Sequence, residues 1–393
     1  MESQTSSRQV IDALLRGKSA ARVGVMEGFW ADTFAKWVRQ GYPTRKVYHK
    51  KDESVRRLSD GMVEKAPADG EYEEPVAPWE HFALDMTGVG GWFDWKPLRG
   101  CDELVSETAE WEIRRNGAGA SYKFWKHKMG TPEHMDFRMT TREIWERDYR
   151  PLLLDFDPLR VNLAEQQRSF QEASQTQVWR HFGHMFVWEM MRQSMGDVTL
   201  YSSLLLDPAW IHDFCQVYTA FFKAYFAYLF ANVGIPDGVW IYEDMGYNAG
   251  LFASPKTFRE LIFPYYRELV AYFHSLNLPV VLHSCGSVAQ ILPEVVEAGF
   301  DALNPMERKA KNNDPFAFAE KYGEKLAFVG GFDVRILETN DAALVRKEVA
   351  AYVEGMKARG ARLVFGSDHS IPPTVDYDTY RLALDVYRQH MAY

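Results

Sequence analysis

Two side chains that bind metals well, His283 and Cys285, stand one residue apart. In an extended segment, alternation sends both to the same side, close enough to share one ion. Imidazole with thiolate suits Zn²⁺, and coordination deprotonates the thiol at neutral pH. His369 ends a later segment of the same kind and is expected to arrive beside the pair as a third ligand, with Glu243 as a fourth candidate. A zinc ion with an open position withdraws charge from a leaving group. Glu243 and Asp333 are the candidates to manage the accompanying proton. Each acid also has a structural use: Glu243 in capping the next helix or pairing with a rim arginine, Asp333 as a turn or helix-cap residue. Asp368 is read as orienting His369 or ligating in its place, and Asp244 as a lesser candidate.

These residues share an address. Short apolar runs at Val239–Tyr242, Val280–His283, Ala302–Asn304, Ala327–Val329 and Leu363–Phe365 read as strands. Helical patterns near Pro255–Leu276, Val288–Ala298, Pro315–Tyr322 and Ala342–Arg359 alternate with them. That rhythm demands parallel strands with right-handed crossovers. It predicts an α/β fold, the (β/α)8 TIM barrel, with the acids, imidazoles, thiol and amide collected on the C-terminal rim. An open doubly wound sheet is the alternative; no GxGxxG follows a strand, which weighs against its dinucleotide-binding form. Tyr242 and Asn304 then become substrate-binding candidates, and Phe29, Trp30, Trp92 and Trp95 candidates for an aromatic wall. His81, His127, His134, His181 and His184 read as structural or surface groups.

The first half is less regular. Ser7–Leu15 and Ala31–Gln40 read as helices, Arg22–Met26 as a strand, His49–Pro78 as a charged loop, Phe82–Met86 and Tyr122–His127 as short apolar pieces, and Thr141–Leu154 as a helix. The economical reading is one domain over 1–393, with about 1–150 an irregular segment covering the barrel mouth. A chain of 393 residues with 47% hydrophobic content can bury one large core. Its formal charge of −9 argues against a nucleic-acid binder. Three widely spaced cysteines indicate no disulfide framework, and Met1–Arg16 has no apolar signal core, so the cytoplasm is the expected compartment. The aromatic stretch Tyr218–Ile235 reads as a buried helix rather than a membrane span.

The runs Leu282-His283-Ser284-Cys285-Gly286, Asn304-Pro305, Gly330-Gly331-Phe332-Asp333 and Gly366-Ser367-Asp368-His369-Ser370-Ile371-Pro372-Pro373 resemble the uroporphyrinogen decarboxylase superfamily. The match is good from about Asp197 to the C-terminus. The resemblance implies a (β/α)8 barrel and two branches: decarboxylases of a tetrapyrrole, and zinc methyltransferases that work with corrinoid proteins. The decarboxylases grip carboxylates with an N-terminal Arg-Gln-Ala-Gly-Arg segment. Here that region reads Val25-Met26-Glu27-Gly28-Phe29-Trp30, so a polyanion would meet Glu27 in place of guanidiniums. The methyltransferase branch holds zinc with a His-x-Cys pair, matched by His283 and Cys285, and a later Cys where this chain has His369.

The resemblance therefore implies a zinc-dependent methyltransferase moving a methyl group between a small donor, such as a methoxylated aromatic or a methylamine, and a corrinoid (cobalamin) on a partner protein. Homodimers are common in the superfamily and are expected by analogy. A second reading is a metal-independent decarboxylase of a small carboxylic acid using Asp85 or Asp333. A third is a non-catalytic barrel that binds a corrinoid protein or small ligand; the density of acids and imidazoles at strand ends speaks against it.

Overall fold

The computed structural model describes residues 5–49, 55–57, 63–65, 69–127 and 131–393. Eight strands form one parallel sheet: β1 Gly24–Val25, β2 Met86–Gly88, β3 Trp179–Met185, β4 Gly238–Tyr242, β5 Val280–His283, β6 Ala302–Asn304, β7 Ala327–Val329 and β8 Leu363–Phe365. Their lateral order is β1-β8-β7-β6-β5-β4-β3-β2. The ring closes between β1 and β2, where Asp85 N–H donates to Val25 O at 2.8 Å and Val25 N–H donates to the Asp85 carboxylate at 2.8 Å. The five strands read in the second half are present, β4 starting one residue early at Gly238.

Alternation along each strand sorts the side chains. Met86, Trp179, Trp240, Val281, Ala302, Ala327, Val329 and Val364 point inward and fill the barrel. Two indoles opposite two alanines let large and small residues interdigitate in that narrow space. Helix Ser7–Leu15, started by a capping box between Ser6 and Gln9, drives Val10, Ile11, Leu14 and Leu15 into the N-terminal end of the barrel. That end is plugged, and any site must open at the other. The outward set, including Phe182, Ile241, Leu282, Leu303, Phe328 and Phe365, packs beneath the surrounding helices.

Strands β2 and β3 escape sequence reading. Met86–Gly88 is short and runs into glycines, and Trp179–Met185 carries two histidines and a glycine with no β-branched residue. The helix read as Pro255–Leu276 is two, Pro255–Leu261 and Phe263–Ser275; Pro264 has no N–H to continue the ladder. Residues 218–232 of the stretch read as a buried helix lie in helix Pro208–Asn232, whose Tyr218, Phe222, Tyr225 and Phe226 are buried, and residues 233–235 follow its end. No helix among the described residues is long and apolar enough to cross a membrane.

In the irregular first half, Thr44–His49 pairs antiparallel with Gly70–Pro75, so a strand lies within the stretch His49–Pro78 read as loop and its partner runs up to the start of that stretch; residues 50–54, 58–62 and 66–68 lie outside the described residues. Asp102–Glu107, Trp111–Asn116, Ala120–Trp125 and Glu133–Phe137 form a four-stranded antiparallel sheet. It leans on helix Val187–Leu206, which starts at the C-terminal end of β3. Gly196 permits the approach: a Cβ there would lie 2.5 Å from the Phe137 ring, and its φ of 71° kinks the helix. The Tyr122 hydroxyl donates to Gln193 O at 3.1 Å, tying the sheet to the rim.

Candidate functional site

A cavity of about 660 Å³ opens at the C-terminal end of the barrel. Going round the ring, β1 and its loop supply Met26, Glu27, Gly28 and Trp30, and the β2 loop supplies Trp92. From β3 and its helix come Met185, Glu189 and Gln193. Strand β4 gives Trp240, Tyr242 and Asp244, β5 gives His283 and Cys285, β6 gives Asn304 and Pro305, and β8 gives Ser367, His369 and Ser370.

Asp244, His283 and Cys285 hold the metal-binding geometry. One ligand atom from each lies within 4.8 Å of the others, and among the described residues no other group of His, Cys, Asp or Glu does so. His283 Nε2 is 3.4 Å from Cys285 Sγ and 3.7 Å from Asp244 Oδ1. The backbone register explains the meeting. Tyr242 pairs with His283 across β4 and β5, so two residues on, Asp244 comes level with Cys285. Cys285 N–H donates to Asp244 Oδ1 at 2.8 Å.

The orientation of His283 is set one shell out. Asn304 Nδ2 donates to Val329 O at 3.0 Å, which turns its Oδ1 toward His283 Nδ1 at 2.5 Å. An amide oxygen only accepts, so Nδ1 carries the proton and Nε2 presents its lone pair to the other two donors. This is the arrangement that histidine ligands of metals use. Burial, together with the charges of Asp244 and Glu307, holds the Cys285 thiol well above its usual pKa. Without a metal the sulfur is a thiol and a poor nucleophile. A carboxylate, an imidazole and a thiol converging on one point fit a zinc-type ion with a position left for substrate.

Several expected site residues stand elsewhere. His369 lines the same cavity but not the metal group; β6 and β7 intervene between β5 and β8, each step about 4.8 Å. Its ring stacks on Trp30, centroids 5.9 Å apart. Glu243 faces out of the barrel and is fully buried, accepting from the N–H groups of Phe186 (2.7 Å), Trp188 (2.8 Å) and Glu189 (3.2 Å) and from the Tyr266 hydroxyl (2.5 Å). Burial pushes its carboxyl up to about 8, against the pull of those donors. It anchors the start of helix Val187–Leu206 and does not line this cavity.

Asp333 caps helix Val334–Glu338 and pairs with Arg335 at 2.6 Å, outside the cavity. Asp85 precedes β2 at the plugged end, where Arg22 holds it bidentately at 2.6 and 2.7 Å. Asp368 accepts from Arg308 N–H (2.7 Å) and Val334 N–H (3.0 Å), tying rim loops together without orienting His369. Phe29 belongs to an aromatic cluster with Trp37, Phe82 and Tyr380, and Trp95 is buried against Tyr218. His181 and His184 are buried, and burial takes both down to about 4.

Tyr242, Asn304 and Glu27 do face the cavity. Glu27 accepts from Ser367 N–H (3.1 Å) and Ser367 Oγ (3.0 Å), and from Gly28 N–H (3.1 Å). Burial pushes its carboxyl up to about 8, against those hydrogen bonds. Around a ring of eight, β1 stands three strands from β4 and four from β5, so Glu27 lies across the mouth from the metal group. Glu189, which sequence reading missed, lies on the cavity and pairs with Arg192 at 2.7 Å. Its signal would have been the β3-to-helix junction, had β3 been legible. Among the described residues, no Lys or Arg lines the cavity.

The uroporphyrinogen decarboxylase (URO-D) family profile matches residues 187–390, just over half of the chain. No curated protein matches by sequence. Among solved structures, a methyltransferase from Methanosarcina mazei aligns over 98% of this chain and 99% of that one, with a TM-score of 0.63 and 15% identity, and so shares its fold. An AP endonuclease, family 2, from Brucella melitensis aligns over 54% of this chain and 80% of that one, with a TM-score of 0.30 and 10% identity. With a matched profile spanning β4 to β8 and the rim that carries Asp244, His283 and Cys285, this (β/α)8-barrel chain belongs to the uroporphyrinogen decarboxylase family.

Proposed function

We propose that the chain is a zinc-dependent methyltransferase, moving a methyl group between a small donor and a corrinoid carried by a partner protein. The observation that carries this reading is the convergence of Asp244, His283 and Cys285 on the cavity wall. The absence of Lys and Arg from the described wall removes the cations a decarboxylase needs to grip a polycarboxylate. The two acids available to the decarboxylase reading, Asp85 and Asp333, both stand off the cavity and are held by arginines.

Zinc at this point supplies Lewis acidity to the atom that gives up or takes the methyl group, and the corrinoid supplies the partner for the methyl carbon. The chain's own residues do the rest. Asn304 fixes the His283 tautomer. Tyr242, Trp240 and Trp92 wall one side of the substrate space. Glu27, on the opposite arc, is a cavity carboxyl that burial raises to about 8, so it can hold or move a proton near neutral pH.

The test is elemental analysis of purified protein alongside methyl transfer to a reduced corrinoid. Stoichiometric zinc, lost in His283→Ala and Cys285→Ala, supports the reading. A protein that binds no zinc yet turns over without it ends the reading.

A further inference from the structure

The cavity is lined by carboxyl groups and aromatic rings, and among the described residues no Lys or Arg lines it. Three carboxylates line it, Glu27, Glu189 and Asp244. Glu189 is matched by Arg192, and a divalent ion would match Asp244 together with Cys285. Glu27 is left: every hydrogen bond it accepts comes from a neutral donor, Ser367 or Gly28. Lys309 and Arg335 line a neighbouring pocket beyond the Trp30–His369 stack, and each has a partner, Glu307 at 3.1 Å and Asp333 at 2.6 Å.

The aromatic part of the wall is Trp30, Trp92, Trp240 and Tyr242. Trp92 and Tyr242 stand near-parallel with centroids 6.0 Å apart, and Trp240 continues the surface 6.3 Å from Tyr242. Trp30 faces the cavity from the Glu27 side. Indole and phenol faces attract cations, and most strongly where water is excluded. Burial holds a proton on Glu27 in the free cavity, and a cation seated beside it favours the ionised carboxylate, so the pair forms with release of that proton, while an anion gains no such partner.

We infer that the organic ligand of this cavity is a small cation, an N-methylated quaternary or protonated amine, seated between Glu27 and the Trp92–Tyr242–Trp240 wall. A quaternary or protonated nitrogen has no lone pair to offer a metal, so the cation is assigned to the Glu27 side of the cavity, across the mouth from the metal group, and the inference goes beyond the methyl-transfer reading. The charge match itself does not depend on that reading.

The experiment titrates purified protein with choline, with its neutral isostere 3,3-dimethylbutan-1-ol, and with the anion 4-methoxybenzoate. Binding is read by calorimetry and by quenching of tryptophan fluorescence, and zinc content is measured on the same sample. Choline is expected to bind at least tenfold more tightly than the neutral isostere, and the anion more weakly still. Glu27→Gln and Trp92→Leu are each expected to reduce that preference several-fold. Trp92 is 47% exposed, so its variant keeps the test open if Glu27→Gln does not fold. Equal binding of choline and its isostere, tighter binding of the anion, or no binding of any of the three overturns the inference. A zinc-loaded protein with no cation preference removes the inference and leaves the methyltransferase reading standing; a cation preference in a protein that takes up no zinc does the reverse.

Discussion

The backbone N–H of Cys285 points at the carboxylate of Asp244, 2.8 Å away. That bond joins the second residues past the ends of two neighbouring strands and fixes the spacing of two of the three candidate metal ligands. The loops beyond them also touch backbone to backbone. A Cβ on Gly286 would lie 2.3 Å from the carbonyl carbon of Gly246, and Gly286 sits at φ 76°.

The metal group is separable from its neighbours by mutation. Asp244→Asn, His283→Ala and Cys285→Ala are each expected to abolish stoichiometric zinc, while His369→Ala retains it. Asn304→Ala keeps the three ligands but frees the imidazole, and metal affinity should drop about 10–100-fold. Elemental analysis with a competing chelator checks all five; retention of zinc in Cys285→Ala would falsify the assignment.

Gly286→Ala should damage both stability and metal uptake. The left-handed backbone and the contact with Gly246 leave no room for a methyl group, and the loss is expected at about 1–3 kcal/mol. Urea denaturation gives the stability, and zinc per folded molecule shows whether the Cys285 turn moved.

Glu243→Gln is expected to cost about 3 kcal/mol without changing zinc content. Four donors converge on that carboxylate, and an amide offers them one oxygen and an opposing NH₂ group. A variant with wild-type stability and lost zinc would instead return Glu243 to the metal site.

Asp85→Ala should destabilise by about 3–5 kcal/mol, because it leaves Arg22 without its buried partner and unpins β1 from β2. Ligand binding at the mouth should be unchanged in the protein that remains folded. A selective loss of binding or turnover with normal stability would place Asp85 in the site after all.

Glu27 gives the stability a pH signature. Its folded carboxyl stands near 8, above the ordinary value of 4.5, so the folded state holds a proton that the unfolded chain releases. Its contribution is therefore fully present below about pH 4.5 and is lost as the pH rises through 8. The slope is at most about 1.4 kcal/mol per pH unit, and less here because one face of the group meets the cavity. Between pH 5.5 and 8.5 the stability of Glu27→Gln should fall less than that of the wild type in matched urea titrations. Parallel curves would show that Glu27 is ionised throughout.

What the sequence determined by itself is local and periodic. Five strands of the second half were legible because short apolar runs alternated with helical patterns, and each run ended in groups able to do chemistry. The same period of two that put His283 beside Cys285 also assigns Asp244 to the cavity and Glu243 to the outer wall, since Tyr242 faces inward. That choice was available in the sequence. Tertiary structure decided what depends on position around the ring. His369 and His283 look alike as strand-end imidazoles, but lateral order sets two strands between them. Asp85 reads as an acid near a strand, and only chain direction shows that it lies at the plugged end. Strand β3 carries no β-branched residue and becomes a strand because its neighbours on both sides complete its hydrogen bonds. Periodicity along one segment reports which face a side chain takes; which other segment shares that face is fixed by closure of the barrel, a contact between residues far apart in the chain.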